Sequence, residues 1–438
     1  MTGDFDLVLR GGRVFTPAGF AETDVGVKDG RIAHIGAISG GAEIFSAKGL
    51  TVLPGVIDTQ VHLREPGLEY KEDLATGTAA AAMGGVTAVC EMPNTKPNTT
   101  TAAALAEKLA RAKGRAWVDH AFFIGAAAEN AEQLGELERL PGCAGVKIFM
   151  GSSTGSLLVD DETVLRRVLA SGRRRVAVHA EDEARLKERR RLVEGGAAPT
   201  MHPEWRDAET AVIATRRLLR LAAEIGRPVH VLHVTTADEI DILAKHKDFA
   251  TVEVTPQHLT LAAPECYERL GTLAQMNPPI RGENHRLGLW RGVQEGIVDV
   301  IGSDHAPHTL EEKAKPYPDS PSGMTGVQTL VPIMLDHVAA GRLTLERFVD
   351  LTSAGAARIY GMKGKGRIAV GYDADFTVVD LQAERRISNH WIVSKCGWTP
   401  FDGMKVAGWP IATIIRGRVV MREDSLLGDA AGEPLRFL

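Results

Sequence analysis

The chain has 438 residues, room for a large barrel with an appendage or for two to three domains. Its 44% hydrophobic and 24% charged content is that of a globular protein with ample core, and no apolar run nears the roughly 18 residues that span a bilayer. A net charge of −5 and a pI near 6.3 argue against a nucleic-acid or anionic-membrane partner, and four scattered cysteines without a CxxC pair argue against a disulfide or zinc-finger framework.

The N-terminus lacks a basic segment followed by an apolar one, so no signal peptide is expected and the expected location is cytoplasmic. Residues 6–10, 24–28 and 31–37 alternate apolar and polar, with Asp29-Gly30 as a hairpin turn. The same texture returns at 375–380 and 412–421, which predicts a small β-sandwich built from both ends, 1–54 plus 365–438. Between them, strands are predicted at 54–62, 85–94, 117–125, 145–151, 176–181, 228–235, 250–257 and 298–304, with helical patterns in the gaps. The segment 101–113 shows the helical type, with a threonine cap before it and Gly114 just past its end. Eight βα units predict an α/β fold, a (β/α)8 TIM-like barrel over 55–364. A doubly wound open sheet is the alternative, disfavoured because no strand is followed by G-x-G-x-x-G.

The chemistry gathers at strand ends. After the apolar run 50–57 comes Asp58-Thr59-Gln60-Val61-His62-Leu63-Arg64-Glu65-Pro66-Gly67. Alternation along a strand would send Asp58, Gln60, His62 and Arg64 to one side. Packing alone does not call for four polar groups there, since burying each unpaired costs on the order of several kcal/mol. Asn94 follows the second strand, Lys147 lies within the fourth, His179 ends the fifth and His233 the sixth. Asp304, His305 and His308 end the eighth. Barrel active sites lie on this face. Lys147 stands in an otherwise apolar strand, where it must snorkel, pair or lose its charge. A neutral amine there is a nucleophile toward carbon dioxide, and the carbamate formed is a carboxylate on a long arm. With His62, His179, His233 and Asp304 it makes a nitrogen and oxygen donor set suited to one or two Zn2+ ions. The proline-rich, charged segment 308–323 follows directly and reads either as an active-site loop or as an inert surface loop.

These residues resemble the amidohydrolase superfamily, and within it the dihydroorotases. The segment 58–67 is similar to the family's first metal motif. Met92-Pro93-Asn94-Thr95, Asn277-Pro278-Pro279-Ile280-Arg281 and Ser303-Asp304-His305-Ala306-Pro307-His308 look like its three further signatures. The resemblance implies metal ligation by His62, carboxylated Lys147, His179, His233 and Asp304, with Asp304 also carrying the catalytic proton. It implies substrate binding by Arg64, Asn94, Asn277 and His308. The implied reaction interconverts L-dihydroorotate and N-carbamoyl-L-aspartate, a step of pyrimidine synthesis. The implied assembly is a homodimer, with association with aspartate transcarbamoylase.

One position departs from the pattern. Gln60 stands where the first histidine of H-x-H belongs, as in a branch of the family, and an amide oxygen is a poor zinc ligand beside imidazole. Gln60 and Asp58 are therefore expected as metal-site neighbours, and the site as a weakened two-zinc centre, a single-zinc centre or a non-catalytic relative. The alternatives to dihydroorotase are a hydantoinase, dihydropyrimidinase or allantoinase, or a scaffold subunit. Substrates of those three enzymes lack the ring carboxylate that Arg64 and Asn94 would hold.

Overall fold

The computed structural model describes residues 4–153 and 156–438. Met1, Thr2 and Gly3, where the reading for a signal peptide began, lie outside the described residues. Two sheets carry the molecule. The first strands are β1 (Leu7–Thr16), β2 (Gly19–Lys28), β3 (Arg31–Ile35), β4 (Glu43–Ser46) and β5 (Thr51–Pro54). Then come β6 (Val56–Val61), β7 (Val86–Glu91), β8 (Asp119–Gly125) and β9 (Cys143–Phe149). These are followed by β10 (Val176–His179), β11 (Val229–Val231), β12 (Ala250–Val254) and β13 (Val300–Ile301). The last are β14 (Phe376–Arg386), β15 (Lys405–Ile415), β16 (Arg418–Arg422) and β17 (Ser425–Leu426).

Strands β6 to β13 form one parallel sheet in unbroken chain order. Val61 pairs in parallel with His305, and the His62 amide donates to the His305 carbonyl at 2.7 Å, so the end of the sheet returns to its beginning. That closure makes a (β/α)8 barrel and removes the doubly wound alternative, which needs a reversal of strand order. The strands are buried along their whole length, as a parallel sheet covered on both faces requires. Val89, Phe122, Val178 and Val252 point outward into a core shared with the surrounding helices. Ile57, Cys90, Phe123, Ala177 and Leu232 point inward and fill the lower barrel against Tyr360, Met362 and Leu435.

The other sheet has nine strands from both chain ends, in the order β17-β16-β15-β14-β5-β1-β2-β3, with β4 on β1. Leu7, Val25, Phe45, Phe376 and Ile414 meet in a separate core there. The β2–β3 turn has Asp29 at φ 50° and Gly30 at φ 73°, the left-handed pair of a tight hairpin. The chain then leaves this sheet. The His120 amide donates to the Glu433 carbonyl, and the Leu435 amide to the His120 carbonyl, so the last residues run along the barrel's β8.

Local signals act as their chemistry dictates. The helix Ala102–Ala112 starts where Thr101 Oγ1 accepts the Ala104 amide at 3.1 Å and is followed by Gly114 at φ 71°. Among the described residues, no helix is long and apolar enough to cross a membrane.

Candidate active site

The upper barrel is lined differently from the lower. One pocket brings together Gln60, His62, Arg64, Asn94, Lys147, His179, His233, Asn277 and Asp304, with Phe149, Ser153, Ala306, Ser322 and Gly323. His62 directly follows β6, His179 ends β10, and Lys147 stands two residues from the end of β9. His233 and Asp304 lie two and three residues past β11 and β13. Arg64, His233 and Asp304 hold φ values of 64°, 37° and 46°, a left-handed backbone that side chains avoid unless the surroundings impose it. Strand alternation therefore stops before Arg64, which reaches the pocket by this turn instead. The pocket adjoins a cavity of about 480 Å³, and Ser153, Asn277 and Ser322 line both.

The donors come in two pairs. His62 Nδ1 donates to Asn94 Oδ1 at 2.7 Å, and its Nε2 faces Asp304 Oδ1 at 3.2 Å. Burial pushes the His62 pKa down against the pull of Asp304, and in the neutral ring with Nδ1 donating to Asn94, Nε2 presents a lone pair to a carboxylate oxygen. Opposite them, His179 Nε2 donates to Glu181 Oε2 at 2.8 Å, which leaves a lone pair on Nδ1, 3.0 Å from His233 Nε2. Among the described residues, His233 Nδ1 is buried without a partner, and so is Gln60 Oε1. Gln60 Nε2 donates to Asp304 Oδ1 at 3.1 Å. Imidazole nitrogens, a carboxylate and an orphaned amide oxygen gathered in one buried pocket form a donor set that fits a divalent cation. Among the described residues no three His, Cys, Asp or Glu side chains converge into a complete metal site. Each pair is short of a full ligand set.

Lys147 shares this pocket with both pairs. It is 1% exposed, its Nζ lies 4.5 Å from the Phe149 ring centre, and among the described residues it forms no ion pair. Burial lowers its pKa to about 7, against the opposing pull of Asp304 and Glu253.

Arg64 is also buried and also without an ion pair among the described residues. Its Nε donates to the Pro307 carbonyl at 3.1 Å, and burial depresses its pKa. Two expected neighbours sit elsewhere. His308 does not line the pocket. It packs behind Arg64, with Nε2 3.2 Å from the Arg64 guanidinium and 3.1 Å from the Ser322 carbonyl, and with Lys71 Nζ 2.9 Å from Nδ1. Asp58 lies beneath the site, its Oδ1 accepting the Gln60 and Ser303 amides.

Glu181 was not anticipated. Arg206 holds it in a buried ion pair, and that charge together with the His179 bond keeps the carboxyl ionised despite burial. The pattern was available, since His179 and Glu181 are two apart and alternation puts them on one face. The segment 308–323 does border the site: its Ser322 and Gly323 line the pocket. A separate cavity of about 320 Å³, bordered by Phe15, Pro54, Arg358 and Arg367, contains none of these groups.

Comparison with known proteins agrees with this geometry. Residues 51–420 match the model of the amidohydrolase family. The dihydroorotase of Methanosarcina mazei is 36% identical, over 96% of this chain and 95% of its own. That of Methanothermobacter thermautotrophicus is also 36% identical, over 97% and 96%. Among solved structures, the L-hydantoinase (dihydropyrimidinase) of Arthrobacter aurescens superposes with a TM-score of 0.93 at 30% identity, over 98% of this chain and 99% of its own. The dihydropyrimidinase of Brevibacillus agri gives 0.90 at 30% identity, over 97% of both chains. The chain belongs to the amidohydrolase family, and it is a metal-dependent cyclic amidohydrolase.

Proposed function

We infer that the chain is a dihydroorotase, interconverting L-dihydroorotate and N-carbamoyl-L-aspartate. One observation carries this over a hydantoinase: Arg64, a buried guanidinium on the pocket wall that forms no ion pair among the described residues. A buried cation of this kind calls for an anionic ligand, and a guanidinium matches a carboxylate in two parallel hydrogen bonds. Hydantoins and dihydropyrimidines carry no carboxylate on the ring; dihydroorotate does. The sequence relatives support the same reading.

His62, His179, His233, Asp304 and a carboxylated Lys147 would hold zinc, one or two ions, with Gln60 as a neighbour. Zinc bound there would lower the pKa of a water and polarise the amide carbonyl. Arg64 seats the substrate carboxylate, and Asn94 and Asn277 supply amide groups around the ring. Gln60 Nε2 donates to Asp304 Oδ1, so Oδ2 is the oxygen that takes the proton from the attacking water. It returns that proton to the ring nitrogen as the C–N bond breaks, and the reverse sequence closes the ring. The finer readings of a homodimer and of association with aspartate transcarbamoylase are tested by sedimentation with and without that partner.

Replacing Arg64 with alanine is expected to lower kcat/KM for L-dihydroorotate by about 10²-fold or more, near 3 kcal/mol at 1.4 kcal/mol per decade. Unchanged kinetics would remove Arg64 from substrate binding. Turnover of hydantoin in preference to dihydroorotate would establish the hydantoinase reading.

A further inference from the structure

His202 lies buried at the start of the short helix His202–Trp205, behind the pocket wall. Its Nε2 is 3.0 Å from the Met276 carbonyl oxygen and 3.0 Å from Asn277 Oδ1, and its Nδ1 is 3.2 Å from the Tyr317 hydroxyl. A carbonyl only accepts, so Nε2 must carry the hydrogen. Burial keeps the ring neutral, with its pKa lowered to about 3, which makes Nδ1 an acceptor for the Tyr317 O–H. Trp205, Tyr267 and Tyr317 surround the ring edge-on, with centroids 5.9, 6.4 and 5.7 Å away, and fix its plane.

The shared Nε2–H decides which way the Asn277 amide turns. Nδ2 facing His202 would set donor against donor, so Oδ1 takes that side. Nδ2 then turns the other way, 3.5 Å from Ser153 Oγ, at a residue that lines the catalytic pocket.

We propose that His202 is a positioning residue that locks Asn277 as a hydrogen-bond donor toward a carbonyl or carboxylate oxygen of the substrate, and that Tyr317 extends this hold to the segment 309–323. The proposal rests on the reading of Asn277 as a substrate contact. It makes the site selective for a ring with an oxygen, not an N–H, at that position. Loop order and substrate affinity are then linked through one imidazole.

The test is steady-state kinetics with L-dihydroorotate on metal-loaded protein, with metal content and melting temperature measured alongside. His202→Leu is expected to raise KM tenfold or more, with kcat within threefold of the parent and metal content unchanged. His202→Gln keeps an N–H within reach of Asn277 Oδ1 and is expected to restore KM to within threefold. Tyr317→Phe loses one hydroxyl and is expected to raise KM about threefold; it decides the question if the leucine variant does not fold. Asn277→Ala separates the two layers. If it raises KM while the His202 and Tyr317 variants leave KM unchanged, the positioning role is overturned. If Asn277→Ala itself changes nothing, the reading of Asn277 as a substrate contact fails first.

Discussion

At the scale of single residues, the site is set by who donates to whom. Glu181 fixes His179 with Nε2 as the donor, which turns the Nδ1 lone pair into the pocket. Glu181→Gln is expected to weaken metal binding by about 10- to 100-fold, because the imidazole loses its orienting carboxylate and Arg206 is left an unpaired buried charge. Competition with a chelator measures this, and an unchanged dissociation constant would deny Glu181 that role. Gln60→His places an imidazole where an orphaned amide oxygen stands and is expected to raise metal occupancy per chain. These residues differ in how openly the sequence announces them. Lys147 is conspicuous as the one charge in an apolar strand, and His62 and Asp304 as polar groups at strand ends. Glu181 needed only the two-residue spacing from His179. His202 has no such signal: its partners Asn277 and Tyr317 lie 75 and 115 residues away, and only folding creates those contacts.

Among elements, the segment after β13 shows how a loop is made specific. Thr309 and Glu312 cap a short helix reciprocally. Lys313 Nζ, buried, donates to the carbonyls of Gln275, Pro321 and Gly323 at 3.1, 2.9 and 3.1 Å. Those three bonds hold Ser322 and Gly323 at the pocket wall. Lys313→Met removes the lysine's bonds to the Pro321 and Gly323 carbonyls and leaves the Gln275 carbonyl with the Gly323 amide alone; it is expected to raise KM severalfold and to speed proteolysis within 309–323, with metal content unchanged. Equal KM and equal cleavage rates would show that the lysine does not hold the loop. The barrel strands were legible because their apolar runs recur with helical patterns between them. Their limits were less so: β13 is Val300–Ile301 alone, where a strand over 298–304 was expected. Burial reads the same on a strand and on the coil that leads into it.

For the whole molecule, the two sheets are joined by a buried charge cluster. Lys365 Nζ lies 2.6 Å from Asp119 on β8, 2.5 Å from Asp375 beside β14, and 3.1 Å from Asp373. Burial works against the lysine's charge, but the three carboxylates outweigh it and raise its pKa. Lys365→Met is expected to cost about 3–5 kcal/mol in denaturant unfolding, as loss of one partner strands buried carboxylates. A second global property follows from buried imidazoles. Burial lowers the pKa values of His202, His230 and His337 to about 3, from 6.5. Between those values the unfolded chain binds protons that the folded one refuses, so stability falls as pH drops from 6.5 toward 3. Each histidine adds up to about 1.4 kcal/mol per pH unit to that slope. Melting temperatures that stay flat from pH 7 to 5 would contradict it. The alternating βα pattern and the β-rich ends foretold both sheets. The return of residues 432–437 to β8 was hidden, since nothing in Gly432-Glu433-Pro434-Leu435 names the strand it will meet.

The measurement that bears most directly on the central claim is kcat/KM for L-dihydroorotate and for hydantoin, on metal-loaded parent protein and on Arg64→Ala. A strong preference for L-dihydroorotate is expected in the parent, reduced by about 10²-fold or more in the variant, with hydantoin turnover the same in both. Equal activity on the two substrates, or a preference untouched by the loss of Arg64, would contradict it.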